Sequence, residues 1–339
     1  MNAQRTKKLA VIDGETLMDA RLPKQQFCVQ TLLPQGISML GGAPKVGKSW
    51  MVLLLALQVA KGEPLWNLPT KQGTVLYLAL EDSQSRLQER LNQLTDEAPA
   101  SLYFATTAGT IGDELCMQIS KFVLEHPDTV LVIIDTFQIV RNNRIETSYA
   151  NDYEEVRELK ALADDLKISL LLVHHLRKQG DSYALNKLSG TTGISGAMDA
   201  VFILDQSKRN ANCATLLCTG RDIKNRELEL KMKEDTCEWE LKNDSLEETT
   251  TCPEEIVFLA KLMQREKAFD GGNSEFAELF NSFSGKSISA KALKQMMNRW
   301  RYVLEENFVF FTSGRSNGKR YIKVEYLPLS ATESDGSAV

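Results

Sequence analysis

The chain has 339 residues, of which 43% are hydrophobic and 25% are charged. This length predicts about two domains, and the composition excludes a disordered chain because it supplies enough apolar side chains for a large core. The net charge of −5 excludes nucleic-acid binding through overall charge, so any such contact must come from a local basic patch.

Cysteine spacing and the N-terminal sequence argue against further classes of protein. The six cysteines are scattered without a C-x-x-C pair, which argues against a disulfide framework or a zinc site. The N-terminus is polar and resembles no signal peptide, and the apolar runs are too short to span a membrane. We therefore expect a cytoplasmic protein with no membrane contact.

Residues 42–49 match G-x-x-x-x-G-K-[ST], the pattern of a phosphate-binding loop. A predicted strand at 36–40 precedes the loop and a predicted helix at 51–60 follows it, which is the required context. Loop N–H groups and the helix N-terminus would then bind the phosphates of ATP. Lys48 is expected to reach the β- and γ-phosphates, and Ser49 to ligate Mg²⁺. The residues expected to bind ATP are Gly42, Ala43, Pro44, Lys45, Val46, Gly47, Lys48, Ser49 and Trp50.

Apolar strands alternate with amphipathic helices over the first 240 residues. The predicted strands are 36–40, 74–80, 129–135, 168–173, 200–204, 213–219 and 227–232, and the predicted helices after the first are 83–94, 111–126 and 152–166. This alternation predicts an α/β fold with a mainly parallel sheet covered on both faces. Ligands of such sheets bind beyond the carboxyl ends of the strands.

Three of these strands end in polar residues. Asp135 is expected to hold Mg²⁺, although an acid there can also cap a helix. Glu81 is favoured over Asp82 as the carboxylate that takes a proton from the attacking water, and either could instead be a cap. Of His174 and His175 only one can face the site, because successive strand side chains point to opposite faces. His175 is slightly favoured as the γ-phosphate sensor.

The composition of the chain changes near residue 240. A polar, acidic stretch at 242–252 predicts a linker between an ATPase domain at 1–241, with a lead-in at 1–30, and a small domain at 253–327. The small domain resembles a winged helix: predicted helices at 254–266, 274–283 and 289–306 precede two strand-like runs that flank Asn317-Gly318, a hairpin signal. Residues 328–339 are expected to be a disordered tail.

The small domain is locally basic. Between residues 286 and 326 nine Lys and Arg face three acidic residues, a charge of +6 that favours DNA contact. The residues expected to contact DNA are Lys291, Lys294, Arg299 and Arg301 on the third helix and Arg315, Lys319 and Arg320 around the wing tip. A winged helix that binds protein and leaves this face solvated is the alternative.

Several motifs stand together in one order. They are residues 42–49, Tyr-Leu-Ala-Leu-Glu-Asp at 77–82, Val-Ile-Ile-Asp-Thr at 132–136, Val-His-His-Leu-Arg-Lys at 173–178, Gly-Thr-Thr-Gly at 190–193 and Thr-Gly-Arg-Asp at 219–222. This series resembles the RecA-like ATPases of the RepA helicase family, common on plasmids, phages and integrative elements, over residues 30–240. The resemblance implies a homo-oligomeric ring, usually a hexamer, with ATP at subunit interfaces and single-stranded DNA in its channel. It also implies the roles given above to Lys48, Ser49, Glu81, Asp135 and the histidine pair.

One departure from that family concerns the arginine a ring ATPase takes from its neighbour. In RepA-type helicases an arginine lies in the strand after the Gly-Ser-rich connection, but residues 199–203 here are Asp-Ala-Val-Phe-Ile. We expect Arg221 to serve instead, with Arg209 as second choice. A surface ion pair of Arg221 with Asp222 or Glu227 is the alternative.

The connection 177–196 contains Arg177, Lys178 and Lys187 and is expected to track DNA phosphates. A solvated active-site loop is the alternative.

Together the patterns predict a DNA-associated ATPase of a mobile element, acting as a helicase or loader. The second hypothesis is a nucleotide-switched regulator that binds duplex DNA. A metabolic kinase is disfavoured because nothing in the sequence supplies a lid for an acceptor substrate.

Overall fold

The computed structural model describes residues 11–20, 22–141, 149–176, 196–206, 212–246, 252–316 and 319–328. The expected DNA contacts Arg177, Lys178 and Lys187 lie outside these ranges, as do Arg209 and the tail from residue 329. The chain divides into two compact units. One is Lys24–Glu248, and the other joins the segment up to Pro23, which includes helix α1 (Gly14–Asp19), to the segment from Thr249 onwards. The lead-in expected at 1–30 is therefore divided between the units.

The larger unit has an α/β order. Its elements are β1 (Phe27–Val29), β2 (Leu33–Pro34), β3 (Gly36–Gly42), α2 (Lys48–Lys61), β4 (Thr74–Ala79), α3 (Gln84–Leu94), β5 (Leu102–Ala105), α4 (Leu115–Glu125), β6 (Thr129–Asp135), α5 (Phe137–Val140), α6 (Tyr149–Leu166), β7 (Ser169–His175), β8 (Ala200–Gln206), β9 (Cys213–Gly220), β10 (Arg226–Met232) and β11 (Trp239–Asp244). None of the described helices is both long and apolar enough to cross a bilayer.

A nine-stranded sheet in the order β11-β10-β9-β8-β3-β7-β6-β4-β5 forms the centre of this unit. The six strands from β8 to β5 are parallel, and β9, β10 and β11 extend the sheet as antiparallel strands. The predicted mainly parallel sheet is confirmed. Strands β3, β4 and β6 are buried along their whole length because apolar cores cover both faces of the sheet.

Several boundaries differ from the predictions, and three of them bear on the site or on the linker. Helix α4 begins at Leu115 rather than at residue 111, since Gly112 adopts a φ of +77° that an α-helix does not allow. Strand β7 includes both His174 and His175. Strand β11 runs to Asp244, so the first three residues of the expected linker belong to the sheet. They were missed because this edge strand is mostly polar and is ordered by pairing with β10.

The smaller unit contains helices and a three-stranded sheet. After α1 its elements are α7 (Glu254–Glu266), β12 (Ala268–Gly272), α8 (Asn273–Ser284), α9 (Ala290–Arg299), α10 (Arg301–Glu306), β13 (Val309–Ser316) and β14 (Lys319–Tyr326). The sheet is antiparallel in the order β12-β14-β13. The helix predicted at 289–306 is interrupted at Trp300, whose φ and ψ of −107° and 22° are not helical. Met297 and Leu304 are both buried, so the apolar period continues through the break and conceals it in the sequence.

Candidate functional site

The loop between β3 and α2 is shaped for an anion. Gly47, the N-cap of α2, has a φ of +92°, and Lys45 has a φ of +66°. A Cβ on Gly42 would lie 2.8 Å from the Leu204 carbonyl oxygen, so that position accepts only glycine. Residues 42–50 thus form the loop and the first turn of α2, as their sequence pattern predicts. The N-terminus of that helix faces the loop with unsatisfied N–H groups, which favours phosphate binding.

Lys48 is buried at the centre of the site. Its Nζ donates to the carbonyl oxygens of Gly42 and Ala43, at 2.9 Å each, and lies 3.1 Å from His175 Nδ1. Burial lowers the pKa of Lys48 to about 8, while the nearby carboxylates of Asp135 and Glu81 act in the opposite direction. Lys48 Nζ therefore lies at the loop, where a polyphosphate would be adjacent to it when bound.

Strand register brings the polar strand ends together. Gly42 of β3 pairs with His175 of β7, and Asp135 of β6 pairs with Ala79, two residues before Glu81. His175 Nε2 is 3.5 Å from Glu81 Oε1. Because a lysine ammonium only donates, Nδ1 of His175 accepts from it, and the neutral ring then carries its proton on Nε2, the nitrogen nearer Glu81. The imidazole thus connects Lys48 to Glu81.

His174 lies on the opposite face of β7. It is buried beside Phe137, with the two ring centroids 6.1 Å apart in an edge-to-face arrangement. Alternation along the strand explains why one histidine faces the phosphate loop and its neighbour the opposite core. The structure therefore brings His175, and not His174, to Lys48.

Asp135 lies beneath the loop with only 5% of its surface exposed. Its Oδ2 accepts a 2.8 Å hydrogen bond from the hydroxyl of Tyr77. The pKa of Asp135 is raised above its usual value, mainly by burial, although the Tyr77 and Ser49 hydroxyls act in the opposite direction and the carboxylates of Glu81 and Asp82 add to the rise. A hydroxyl and a carboxylate supply oxygen ligands of the kind Mg²⁺ requires, so Ser49 and Asp135 fit this metal.

Glu81 and Asp82 differ sharply in their surroundings. The Glu81 side chain is half exposed, and its Oε1 accepts a 3.0 Å hydrogen bond from Thr136 Oγ1. Asp82 is bound by Arg86 at 3.0 Å and by Arg90. The Arg90 guanidinium also lies 5.4 Å from the ring centre of Trp50. Since two arginines hold Asp82, Glu81 is the acid left free to act on a water molecule.

Arg221 lies away from this group. Its guanidinium donates to the Gly196 carbonyl at 3.0 Å and is 3.6 Å from Asp199, rather than paired with Asp222 or Glu227. Asp199 also accepts from the Ile37 N–H, at the amino end of β3. Arg221 is therefore at the sheet edge opposite the phosphate loop.

Three contacts of the site were not foreseen from the sequence. Tyr77 binds Asp135, Thr136 binds Glu81, and Trp239 Nε1 donates to the Gly47 carbonyl oxygen at 3.1 Å. Tyr77 pairs with Ile133, two residues before Asp135, so strand alternation could have placed it on the same face. Thr136 directly follows Asp135. Nothing in the sequence linked Trp239 to a loop 192 residues away.

The smaller unit presents basic side chains from α9. Lys291 and Arg299 are exposed and Lys294 is half-buried, whereas the Arg301 guanidinium lies 4.2 Å from the ring centre of Phe311. The expected wing-tip residues stand on β13 and β14, where Arg315 pairs with Arg320 in the register of the hairpin and Ser316 with Lys319.

The sequence model of the AAA domain family (AAA_25) matches residues 3–181, more than half of the chain. The chain belongs to this family. The chain is 30% identical over 154 residues to the DNA repair protein RadA of Campylobacter jejuni, covering 44% of this chain and 30% of that protein. The RadA of Streptococcus pyogenes serotype M6 is 28% identical over 183 residues, covering 53% of this chain and 35% of that protein. The chain thus spans about a third of the length of these relatives.

Two solved structures resemble this chain in fold over 62% of its length. One is an isolated ATPase domain, which superimposes with a TM-score of 0.52 at 15% identity and covers 62% of this chain and 85% of that chain. The other is a DnaB-like replicative helicase, which gives a TM-score of 0.52 at 14% identity and covers 62% of this chain and 58% of that chain. The part of the chain that superimposes therefore has the RecA-like P-loop NTPase fold.

Proposed function

We propose that this protein hydrolyses ATP at the loop of residues 42–50 and couples that reaction to DNA, as a RepA-type helicase or replication ATPase of a mobile element. The observation that carries the ATPase part is the convergence of Lys48, His175, Glu81 and Asp135 at one edge of the sheet. The DNA part is supported by the basic face of α9, by the relatives named as DNA repair proteins and by a solved neighbour named as a replicative helicase.

In the proposed mechanism the loop binds the triphosphate and Lys48 neutralises charge on its terminal phosphates. Glu81 takes a proton from the attacking water, while Thr136 and His175 hold the carboxylate in place. Mg²⁺, when bound, lowers the charge on the phosphates, and Ser49 and Asp135 would hold it.

His175 is also suited to relay the state of the site. It is in contact with both Lys48 and Glu81 and ends β7, two residues before the connection that begins at Arg177. Loss of the γ-phosphate would change the surroundings of Lys48 and thereby the position of this imidazole. The proposed consequence is a shift of Arg177, Lys178 and Lys187 on single-stranded DNA in the channel of a homo-hexamer.

The position of Arg221 favours a role in trans. It lies at the amino edge of the sheet, so it cannot reach the loop of its own subunit. In a ring it could serve only the ATP of a neighbour, which is the role proposed for it.

A second candidate function rests on the smaller unit. Its order of helix, strand, two helices and a hairpin supports a winged helix, and Lys291 and Arg299 form no ion pair with any described residue. Such a unit places a helix in the major groove of duplex DNA. The protein would then be a nucleotide-switched regulator rather than a motor.

Turnover measurements separate the two functions. For a motor, single-stranded DNA raises the ATPase rate, the protein displaces a paired strand, and Lys48→Ala removes both activities. For a switch, turnover is slow and indifferent to DNA, and binding is confined to particular duplex sequences. Light scattering with and without a non-hydrolysable ATP analogue tests the ring, since a chain that stays monomeric with nucleotide contradicts the motor.

A further inference from the structure

The β10–β11 hairpin packs directly on the phosphate loop. Met232 and Trp239 face each other as a pair across its two strands. A Cβ built on Gly47 would lie 2.9 Å from Met232 Cε and 2.9 Å from Trp239 Cζ2, so both side chains already contact that glycine. Trp239 is only 1% exposed. The hairpin thus reaches the loop from the side of β3 opposite to His175 and Glu81.

The hydrogen bond from this hairpin is accepted by a backbone oxygen of the phosphate loop. The Gly47 carbonyl oxygen accepts from the backbone N–H of Met51, the first hydrogen bond of α2, at 3.1 Å, and from the Trp239 indole at 3.1 Å. Both acceptor positions of this oxygen are therefore used. Its direction is fixed by two elements that are far apart in the sequence.

Fixing this carbonyl also fixes the next amide. The peptide unit between Gly47 and Lys48 is planar, so its C=O and N–H point in opposite directions. Because the oxygen is held on the side of Trp239 and the helix, the N–H of Lys48 is turned away from them, toward the concave side of the loop. An amide already aimed at an anion needs no reorganisation when the anion binds.

We propose that Trp239 is a positioning residue of the nucleotide site: its indole N–H sets the Gly47–Lys48 peptide for phosphate binding. This inference rests on the proposed binding of ATP at the loop. Trp239 touches neither Glu81 nor His175 and acts through the loop backbone alone. Its contribution therefore belongs to nucleotide affinity and not to the hydrolysis step.

Trp66 supplies a matched control. Its indole N–H donates to the carbonyl oxygen of Trp239 at 2.6 Å, so it ties the same hairpin residue to a different part of the protein. Trp239→Phe and Trp66→Phe each remove one indole hydrogen bond and keep an aromatic ring. Only the first removes a bond to the phosphate loop.

The test measures ATP binding by calorimetry and ATPase kinetics for both variants and for Lys48→Ala. Trp239→Phe should weaken ATP binding and raise KM roughly five-fold, as expected for one hydrogen bond, with kcat unchanged, while Trp66→Phe keeps the affinity of the parent protein. Equal losses of affinity in the two tryptophan variants would show that Trp239 only stabilises the hairpin and would overturn the inference. An unchanged KM in Trp239→Phe would overturn it as well. ATP binding retained by Lys48→Ala would instead contradict the proposed site itself.

A spectroscopic measurement covers the case in which Trp239→Phe does not fold. The chain has four tryptophans, so full-length protein labelled with 5-fluorotryptophan gives four ¹⁹F resonances. Substitutions of Trp50, Trp66 and Trp300 by Phe assign three of them and leave Trp239 by elimination. On saturation with ATP and Mg²⁺ the Trp239 resonance should shift more than that of Trp66. A Trp239 resonance that stays in place would refute the inference.

Discussion

At the scale of single residues, the direction of each hydrogen bond defines the site. Lys48 can only donate, so the imidazole nitrogen facing it must accept and the other must carry the proton. That second nitrogen is 3.5 Å from Glu81 Oε1, the oxygen that accepts a hydrogen bond from Thr136. Glu81 is thus held by Thr136 and lies beside His175, while half of its side-chain surface remains open to water. A carboxylate with a fixed orientation and an exposed face suits a general base.

The Thr136 hydroxyl should therefore matter for turnover and not for nucleotide binding. Thr136→Val keeps the shape of the side chain but leaves Glu81 free to move, and misplacement of a catalytic group is costly. We expect kcat to fall about ten-fold with KM for ATP unchanged. Steady-state ATPase assays measure both constants.

Thr136→Ser is the matched control, because it restores the hydroxyl. Its kcat should lie close to that of the parent protein. A slow serine variant, or a valine variant with normal turnover, would show that the hydrogen bond to Glu81 has no role in hydrolysis.

At the scale of elements, the burial of a strand determines whether its sequence pattern predicts it. Strands β3, β4 and β6 are buried on both faces, so their uninterrupted apolar runs predict them directly. Since their carboxyl ends share an edge, the same runs predict that Glu81 and Asp135 lie near the phosphate loop. The edge strand β5 has Leu102 as its single buried residue, and β11 is mostly polar. Neither strand has the apolar run or the alternation that predicts a strand. The contact of Trp239 with Gly47 depends on the pairing of β10 with β11, which the local sequence does not predict.

Strand β11 is held by a buried ion pair. Arg226 of β10 and Asp244 of β11 are both buried and 3.1 Å apart, and Arg226 also donates to the Thr31 carbonyl oxygen. Asp244→Ala would leave the guanidinium buried without its counter-charge. The free energy of unfolding of the larger unit should fall by about 3 kcal/mol. Urea denaturation followed by tryptophan fluorescence measures the loss.

An exposed ion pair of the same strand gives the comparison. Lys242 and Glu240 are 2.8 Å apart at the surface, where solvent weakens their attraction. Lys242→Ala should leave the stability close to that of the parent protein. Equal effects of the two substitutions would mean that burial of the Arg226 pair does not govern the stability of β11.

At the scale of the whole molecule, charge is distributed unevenly. The chain carries −5 in total, yet residues 286–326 carry +6, so the remainder is strongly acidic. Some of the basic residues are already neutralised, since Lys286 contacts Glu254 and Lys323 contacts Glu325. Among the side chains that the structure describes in this segment, Lys291 and Arg299 are exposed on α9. An acidic remainder repels the DNA backbone, so this helix should be where DNA binds the smaller unit.

Reversal of these two charges should weaken duplex binding and its dependence on salt together. Each phosphate contact contributes about 0.9 to the slope of log affinity against log salt, so Lys291→Glu with Arg299→Glu should lower that slope by about two. Fluorescence anisotropy of a labelled duplex at several salt concentrations gives the slope, and the ATPase rate without DNA should not change. Lys224→Glu with Lys231→Glu, which reverses two exposed charges on the larger unit, is the matched control and should leave the slope as it is. If both double variants lose binding equally, the effect comes from net charge alone and α9 does not contact DNA.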